Sequence, residues 1–338
     1  MHDHHLTGGY EAMGREYASQ LEGLGRSLAE ASPETLDPPA ERRALARKCA
    51  AHVAEHAPFL LEELEGIADA TGLETDVVET VPLALDARAG CSLVAVAGER
   101  TVGRTPLFAR NHDFYPSFRD FATCYRTEPA DGLASIGCSC VYVGRCDGVN
   151  EAGLAIGFAE VPPHEFEPGV TWQLAVRAVL DTCRTVTEAV EFLESIPHAT
   201  NVNFLVADAS GEIAIVEASS AEATAIFPDD DIVSVTREFR TESMREYQST
   251  DRTPADCSRR RAVAEWFDEQ DRRVTEADLQ TAMGDPDVGV CWPVDERRED
   301  PRSTIWSWTI DPAERVGHLA RDSPVETPYE AVRVPGSE

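Results

Sequence analysis

Cys91 lies where the pattern of the chain changes abruptly, and its thiol is a candidate nucleophile. Before it, apolar residues recur every three or four positions, as in helices. After it, apolar runs alternate with Gly, Asp and Asn, as in strands and turns. Gly90 precedes it, and a glycine permits close backbone approach or unusual dihedral angles. Taken alone, Gly-Cys-Ser also fits an ordinary strand with a buried cysteine.

Three further polar clusters follow Cys91 in the chain. They are RNHD at residues 110–113, GVNEAGL at 148–154 and NFLVAD at 203–208. Each also has a purely structural interpretation. Arg110 and Asp113 would pair across a strand, and Asn203 would cap a turn. The order and spacing of the clusters, rather than any one of them, favour a catalytic site.

The elements that must position these residues are predicted from periodicity. Helical spacing covers residues 10–31, 40–72 with an interruption near Pro58, 74–87, 171–196 and 258–285. Strand patterns cover residues 91–98, 105–114, 139–150, 153–161, 201–219 as a hairpin, 222–228, 231–239 and 303–320 as a hairpin. An all-helical start followed by alternating groups of strands and helices predicts a layered α+β fold with both sheet faces covered.

Together these residues resemble the acyl-coenzyme A:6-aminopenicillanate acyltransferase family, also called the C45 peptidases, of the N-terminal nucleophile (Ntn) hydrolases. They are also similar to the related choloylglycine (bile-salt) hydrolases. The resemblance covers most of the chain, from the helical start to Thr-Ile-Trp-Ser at residues 304–307. It implies a four-layer αββα sandwich whose precursor cuts itself between Gly90 and Cys91. Residues 1–90 would form a helical prosegment, or α chain, and residues 91–338 the catalytic β chain.

The chemistry explains why such a cut is useful. A free thiol has a pKa near 8.5 and is mostly protonated at neutral pH. A free α-amino group, with a pKa of about 7.7–8.0, can act as the base for its own side chain. Before the cut, the Cys91 thiol would attack the Gly90 carbonyl and give a thioester that water resolves. The resemblance therefore implies an amidohydrolase or acyltransferase that acts on a linear amide or thioester through an acyl-Cys91 intermediate.

The resemblance also implies roles for matching positions. Asp113 matches the carboxylate beside the new amine, and Arg110 matches an arginine that lowers the thiol pKa. Asn203 matches the asparagine whose amide donates to the oxyanion, and the backbone around Asn150 would supply a second donor. Arg259 matches a late family arginine, less securely because two more arginines follow it.

One segment departs from the family pattern. Relatives often have Thr/Ser-Asn-His-Phe on a later strand, where this chain has TREF at residues 236–239. We expect a different substrate choice if that segment lines the acyl pocket. The alternative to an enzyme is a non-catalytic member of the fold that stays uncut and binds a small ligand.

Composition excludes several classes of function. The 338 residues include 61 acidic and 30 basic ones, for a net charge of −31, which opposes binding to nucleic acid or anionic membranes. No apolar run is long enough to span a membrane, and the N-terminus does not resemble a secretory signal, so a cytoplasmic protein is expected. A homo-oligomer is possible by analogy with the family alone.

Cysteine and histidine positions offer two weak metal candidates. The nine cysteines are odd in number, which disfavours a disulfide scaffold. Cys138, Cys140 and Cys146 lack a clear fourth ligand, so buried strand cysteines are the better interpretation. The second candidate, formed by His2, His4 and His5, is expected to lie on a frayed terminus. With no phosphate-binding loop or dinucleotide fingerprint, we expect neither a metal nor a cofactor.

The acidic surface predicts stabilisation by salt. Lys48 is the only lysine, and a surface of Asp and Glu repels itself at low salt, as in proteins of salt-accumulating microbes. In molar salt the Debye length is about 3 Å and the repulsion largely disappears. The melting temperature should therefore rise between low-salt buffer and molar KCl. An unchanged melting temperature would favour the alternative, an ordinary acidic protein from a genome rich in Arg codons.

Overall fold

The computed structural model contains helices and two β-sheets. It describes residues 1–31, 37–84, 90–163, 166–249, 254–294 and 302–337. The helices are α1 (Tyr10–Gly23), α2 (Ala40–His56), α3 (Phe59–Thr71), α4 (Thr75–Ala84), α5 (Trp172–Thr182), α6 (Val186–Ser195), α7 (Pro254–Asp268) and α8 (Glu276–Gly284). The strands are β1 (His2–Gly8), β2 (Gly90–Val96), β3 (Leu107–Phe114), β4 (Thr123–Pro129), β5 (Ser135–Ser139), β6 (Asp147–Asn150), β7 (Leu154–Glu160), β8 (Val202–Asp208), β9 (Ile213–Ala218), β10 (Ala223–Ile226), β11 (Ile232–Val235), β12 (Ser303–Asp311), β13 (Val316–Ala320) and β14 (Glu330–Arg333).

The strands form two sheets that lie face to face. The eight-stranded sheet has the order β1-β4-β5-β6-β7-β8-β9-β10, and the six-stranded sheet has the order β11-β2-β3-β12-β13-β14. Strands β1 and β4 are parallel, and the other neighbours are antiparallel. Helices α5 and α6 contact the eight-stranded sheet, whereas α7 and α8 contact the six-stranded sheet. The expected α+β, four-layer αββα arrangement is confirmed.

Strand β2 shows how one strand serves two cores. Leu93 and Ala95 lie in the main core between the sheets. Val94 and Val96 belong to a second core against α7 and α8. Because side chains of a strand point alternately to opposite faces, a strand between two apolar layers is apolar throughout. This explains the continuous apolar run after Gly90.

The four N-terminal helices confirm the predicted helical start, with corrected ends. Helix α3 ends at Gly72, whose φ of 70° is the left-handed conformation of a glycine C-cap. Helix α1 ends at Gly23 rather than residue 31, and Gly25 has a φ of 69° that is incompatible with a continuing helix. The predicted end of the fourth helix at residue 87 lies outside the described residues. Among these described helices, none is long and apolar enough to cross a membrane.

Some strand predictions are wrong. The run 139–150, predicted as one strand, contains only the last residue of β5, then turns in which Val143 has a φ of 65°, and then β6. The predicted helical block 258–285 is two helices, α7 and α8. The expected frayed N-terminus is strand β1, because its backbone pairs with β4 and Leu6 is buried. The predicted hairpins at 201–219 and 303–320 are confirmed.

Helices α1 and α3 cross at two glycines. A Cβ atom on Gly14 would lie 2.0 Å from the carbonyl oxygen of Glu63, and one on Gly66 would lie 2.0 Å from that of Glu11. Such distances are far below van der Waals contact, so only glycine fits at either position. The N-terminal helices are therefore fixed to one another by backbone contact.

A buried ion network joins helices α1 and α3 to helix α5. Arg177 on α5 donates from Nη2 to Glu63 Oε2 on α3 at 3.1 Å and from Nε to Asp181 Oδ2 at 2.8 Å. Tyr10 on α1 donates its hydroxyl to the same Asp181 oxygen at 3.1 Å. Burial raises the pKa of Glu63, and Arg177 opposes that rise.

The helix crossing gives a stability prediction with a matched control in the same helix. Gly14→Ala should lower the free energy of unfolding by at least about 1–3 kcal/mol, because the added methyl group overlaps the α3 backbone. Gly23→Ala should be neutral or slightly stabilising, because nothing lies within 4 Å of a Cβ at that position. Urea unfolding of both variants measures the difference. Equal effects would contradict the described crossing.

Candidate active site

Pairing of β2 with β3 places the candidate nucleophile in a defined position. Cys91 lies opposite His112, and Gly90 lies opposite Asp113. Residues opposite each other on paired strands share a face, and the next residue points the other way. The Cys91 side chain therefore faces the interior between the sheets. Asp113 points to the opposite face, toward α7.

The Cys91 sulfur is buried beside a cation. Its Sγ lies 3.0 Å from Nη2 of Arg110 and 3.7 Å from Nδ1 of His112. Burial raises the pKa of the Cys91 thiol to about 11, although Arg110 pulls the pKa down. In the intact chain the thiol is therefore largely protonated at neutral pH, with a donor positioned to stabilise the thiolate.

Arg110 is held by both sheets. Its Nη1 forms a fully buried ion pair with Asp147 on β6, and its Nε donates to the Phe158 carbonyl on β7 at 3.3 Å. Asp147 also accepts from the backbone N–H of Cys138 at 3.1 Å and from Nε1 of Trp306 at 2.8 Å. These bonds satisfy a charge pair that would otherwise be costly to bury.

His112 is neutral in this arrangement. Its ring stacks on Trp306 with centroids 3.8 Å apart, and its Nδ1 lies 2.8 Å from Nη2 of Arg110. Burial, and then the charge of Arg110, hold the pKa of His112 well below its usual value. An arginine nitrogen only donates, so Nδ1 accepts from Arg110 and the ring proton is on Nε2.

Asp113 forms the centre of a second cluster on the other face. Its Oδ1 accepts from the Thr304 hydroxyl at 2.6 Å, and its Oδ2 lies 3.7 Å from Nη1 of Arg259. Arg259 also donates to the Ser92 hydroxyl at 3.4 Å and lies over the Trp292 ring. Burial raises the pKa of Asp113 to about 6, whereas Arg259 and Thr304 lower it.

Gly90 lies directly against this carboxylate. A Cβ atom on Gly90 would lie 3.4 Å from the Asp113 Cβ and 3.5 Å from Nη1 of Arg302. The φ of Gly90 is outside the left-handed region. The conformational freedom of glycine, which the sequence suggested as its role, is therefore not required here. The relevant feature is that the Gly90–Cys91 peptide lies against Asp113.

The two candidate asparagines are bonded elsewhere. Asn150 donates its amide hydrogens to the carbonyls of Leu180 at 2.9 Å and Cys183 at 2.7 Å. Asn203 donates both of its hydrogens to backbone carbonyls of residues 236 and 238, just after β11. In the intact chain neither amide is therefore available to an oxyanion. The backbone donor expected near Asn150 stays a prediction.

The structure thus brings four of the six predicted site residues together, whereas the side-chain amides of Asn150 and Asn203 donate to backbone carbonyls. The four are Cys91, Arg110, Asp113 and Arg259. Arg260, which could have replaced Arg259, instead contacts Glu238 at 3.0 Å. Sequence reasoning did not assign roles to His112 and Asp147, although His112 lies inside a motif that it singled out. Among the described residues, no three His, Cys, Asp or Glu side chains are grouped to hold a metal.

Comparison with protein-family models decides the family. Residues 100–326 match the model described as acyl-coenzyme A:6-aminopenicillanic acid acyl-transferase, which is more than half of the chain. The chain belongs to this family. The matched region begins after Cys91 and includes Arg110, Asp113 and Arg259. No curated protein matches the chain.

Solved structures show the same fold. Two variants of the conjugated bile acid hydrolase from Clostridium perfringens align with TM-scores of 0.54 and 0.51, at 14% and 15% identity. Each alignment covers 72% of this chain and 92% of the other. A Caenorhabditis elegans ortholog of N-acylethanolamine-hydrolyzing acid amidase aligns at 0.48 and 14% identity, over 72% of this chain and all of the other. Family and fold together identify an Ntn amidohydrolase or acyltransferase.

Substitutions of the two partners of the Arg110–Asp147 ion pair should shift the pKa of the Cys91 thiol in opposite directions. Arg110→Met should raise the pKa of the Cys91 thiol, and Asp147→Asn should lower it, because each change removes a charge of a different sign. Both should cost about 3–5 kcal/mol of stability, since each leaves a buried charge unpaired. The alkylation rate of Cys91 against pH, followed by peptide mass spectrometry, measures the pKa. Shifts in the same direction would show that lost folding, not charge, is responsible.

Proposed function

We propose that the chain cuts itself between Gly90 and Cys91 and then uses Cys91 as an N-terminal nucleophile to cleave a linear amide or thioester. The observation that carries the proposal is the position of Cys91. Its sulfur contacts Arg110 on one face, while the preceding peptide lies against Asp113 on the other. Residues 1–90 and 91–338 would then be the two chains of the mature enzyme.

Self-cleavage would begin at the sulfur. The Cys91 thiol loses its proton and attacks the Gly90 carbonyl carbon, and the C–N bond to Cys91 breaks as that nitrogen takes a proton. Water then hydrolyses the resulting thioester, which releases the Gly90 carboxylate and restores the thiol. Contact with Arg110 supports the first step, because a cation near a thiol favours its thiolate form.

The new α-amino group would lie beside Asp113. In the intact chain the Gly90 backbone occupies this place, and Asp113 has a pKa raised by burial. A neighbouring ammonium group would lower that pKa, and the carboxylate would favour the charged amine. Asp113 would therefore orient the amine, while the amine exchanges the thiol proton.

Turnover would repeat the same chemistry on a substrate. The thiolate attacks the carbonyl carbon, the amine or thiol leaves with a proton, and the acyl group remains on Cys91. Water, or an acceptor amine in a transferase, then takes the acyl group and restores the thiol. The conjugated bile acid hydrolase, by its name, hydrolyses a conjugated bile acid; that fold relationship supports small amides as the substrate class.

The N-terminal helices would stay bound after the cut. Glu63 pairs with Arg177 across the two segments, and Tyr142 donates its hydroxyl to the Val78 carbonyl at 2.7 Å. Removing these helices would leave Arg177 without one of its buried partners. We also expect a reducing compartment such as the cytoplasm, which suits the free thiols of the described cysteines.

Intact-mass spectrometry on protein folded in molar KCl tests the proposal. The parent chain should give two fragments that meet at Gly90 and Cys91, and Cys91→Ala should give one species of 36.9 kDa. Hydrolysis of an amide panel should fall at least about a thousandfold in Cys91→Ala, because loss of a nucleophile removes the covalent route. Cys183→Ala, another buried cysteine outside the site, is the matched control and should cleave normally.

An uncut, folded parent chain, or normal turnover by Cys91→Ala, would overturn this mechanism. The first result would favour the non-catalytic, ligand-binding alternative.

A further inference from the structure

The segment that follows β11 is fixed to the opposite sheet by a buried asparagine. Asn203 on β8 donates to the carbonyl of Thr236 at 3.0 Å and to that of Glu238 at 2.8 Å. These two hydrogen bonds hold the backbone on both sides of Arg237. The chain bends at residues 237 and 238.

A second buried group holds the continuation of this segment. Glu217 on β9 lies opposite Asn203 and accepts from the backbone N–H of Thr241 at 2.9 Å and from that of Arg240. Both side chains are almost completely buried. Residues 236–241 therefore have a fixed path, which we call the strap.

The strand register places the strap beside the nucleophile. Strand β11 pairs with β2 so that Ser234 lies opposite Val94 and Val235 opposite Leu93. Arg237 comes two residues after this last pair, and Cys91 comes two residues before Leu93 on β2. The chain therefore leaves β11 toward the Cys91 end of β2, at the edge of β2 that β3 does not cover.

Packing shows what lies on either side of Arg237 in the strap. Val235, two residues earlier, lies in the main core with Leu93. Phe239, two residues later, packs on Val161 at the end of β7 in the eight-stranded sheet. Arg237 therefore lies between a residue of the core between the sheets and a residue that packs on the eight-stranded sheet. Arg237 is half-buried, whereas Cys91 is fully buried.

A guanidinium at this place has a clear chemical consequence. It stays charged at any physiological pH, and its planar fork matches a carboxylate with two hydrogen bonds. The acyl group is the part of the substrate that stays bonded to Cys91 during both acyl transfer steps. A second cation near this end of β2 would therefore act on that part. The chain has a net charge of −31, and this cation makes the local electrostatic potential more positive where an anionic substrate must approach.

We propose that Arg237 is a substrate-binding residue that selects amides whose acyl group carries a carboxylate close to the scissile bond. This inference rests on the proposed function, since it takes Cys91 as the residue that is acylated. It adds a substrate class, the amides of short dicarboxylic acids, and assigns Asn203 and Glu217 the role of positioning the strap.

Two 4-nitroanilides provide the test, one with a glutaryl group and one with the corresponding uncharged glutaramyl group. For the parent enzyme, kcat/KM should be at least about tenfold higher for the glutaryl substrate, as for a hydrogen-bonded charge pair. Arg237→Gln should remove that preference mainly by raising KM for the glutaryl substrate. Its kcat/KM for the uncharged substrate should change less than about threefold.

Two further variants separate local recognition from general charge and from misfolding. Arg245→Gln removes an exposed arginine from the same loop and should keep the preference. Arg237→Lys retains the charge without the fork and should show an intermediate preference. The same preparations are checked for two fragments by mass and for a parent-like melting temperature.

The outcomes are distinguishable. A processed, active parent that does not prefer the glutaryl substrate overturns the role of Arg237 and leaves the proposed function standing. Equal losses of the preference in Arg237→Gln and Arg245→Gln also overturn it. An uncut parent, or an active Cys91→Ala variant, instead overturns the proposed function.

Discussion

The buried ion pair between Arg110 and Asp147 is the constraint on which the rest of the site depends. Two charges removed from water are tolerable only when each is fully paired, and here the partners come from different sheets. The pair therefore fixes how closely the sheets approach each other at Cys91. Gly157 on β7 reflects the same constraint, since a Cβ there would lie 2.8 Å from Leu93 Cδ2 and 3.0 Å from Arg110 Cδ. Arg110 is the hydrogen-bond donor to the Cys91 sulfur, and it cannot move without breaking this ion pair.

The β2–β3 pairing distributes the chemistry over two faces of one sheet. The sulfur and its neutral histidine neighbour lie on the inner face, and Asp113 with Arg259 lies on the outer face. The backbone at Gly90–Cys91 is within reach of both. A carboxylate on the same face as the thiol would oppose thiolate formation at close range. Separation by the strand places Asp113 against the Gly90–Cys91 backbone, while Arg110 contacts the sulfur.

The sequence predicted features that have a local pattern and missed features that depend on contacts between distant residues. Periodicity identified most helices and hairpins, because burial of one face imposes it on each element separately. It missed β1, β4, most of β5 and β14, and it extended one predicted strand over the turns around Val143, because no local period marks those turns. In the site, motif order indicated Cys91, Arg110 and Asp113. Asp147 left no such signal, because it is defined only by a partner 37 residues away in sequence.

Arginine has two separate roles in this chain. The buried arginines Arg110, Arg145 and Arg177 suit a low-dielectric interior, where guanidinium keeps its charge and bonds in several directions. They are few among 30 basic residues, so the near absence of lysine is mainly a surface property. At molar salt the long-range field of the acidic surface is screened within about 3 Å, and an anionic substrate is no longer repelled from a distance. Selection among substrates then depends on short-range contacts. In our proposal, Arg237 of the strap makes such a contact.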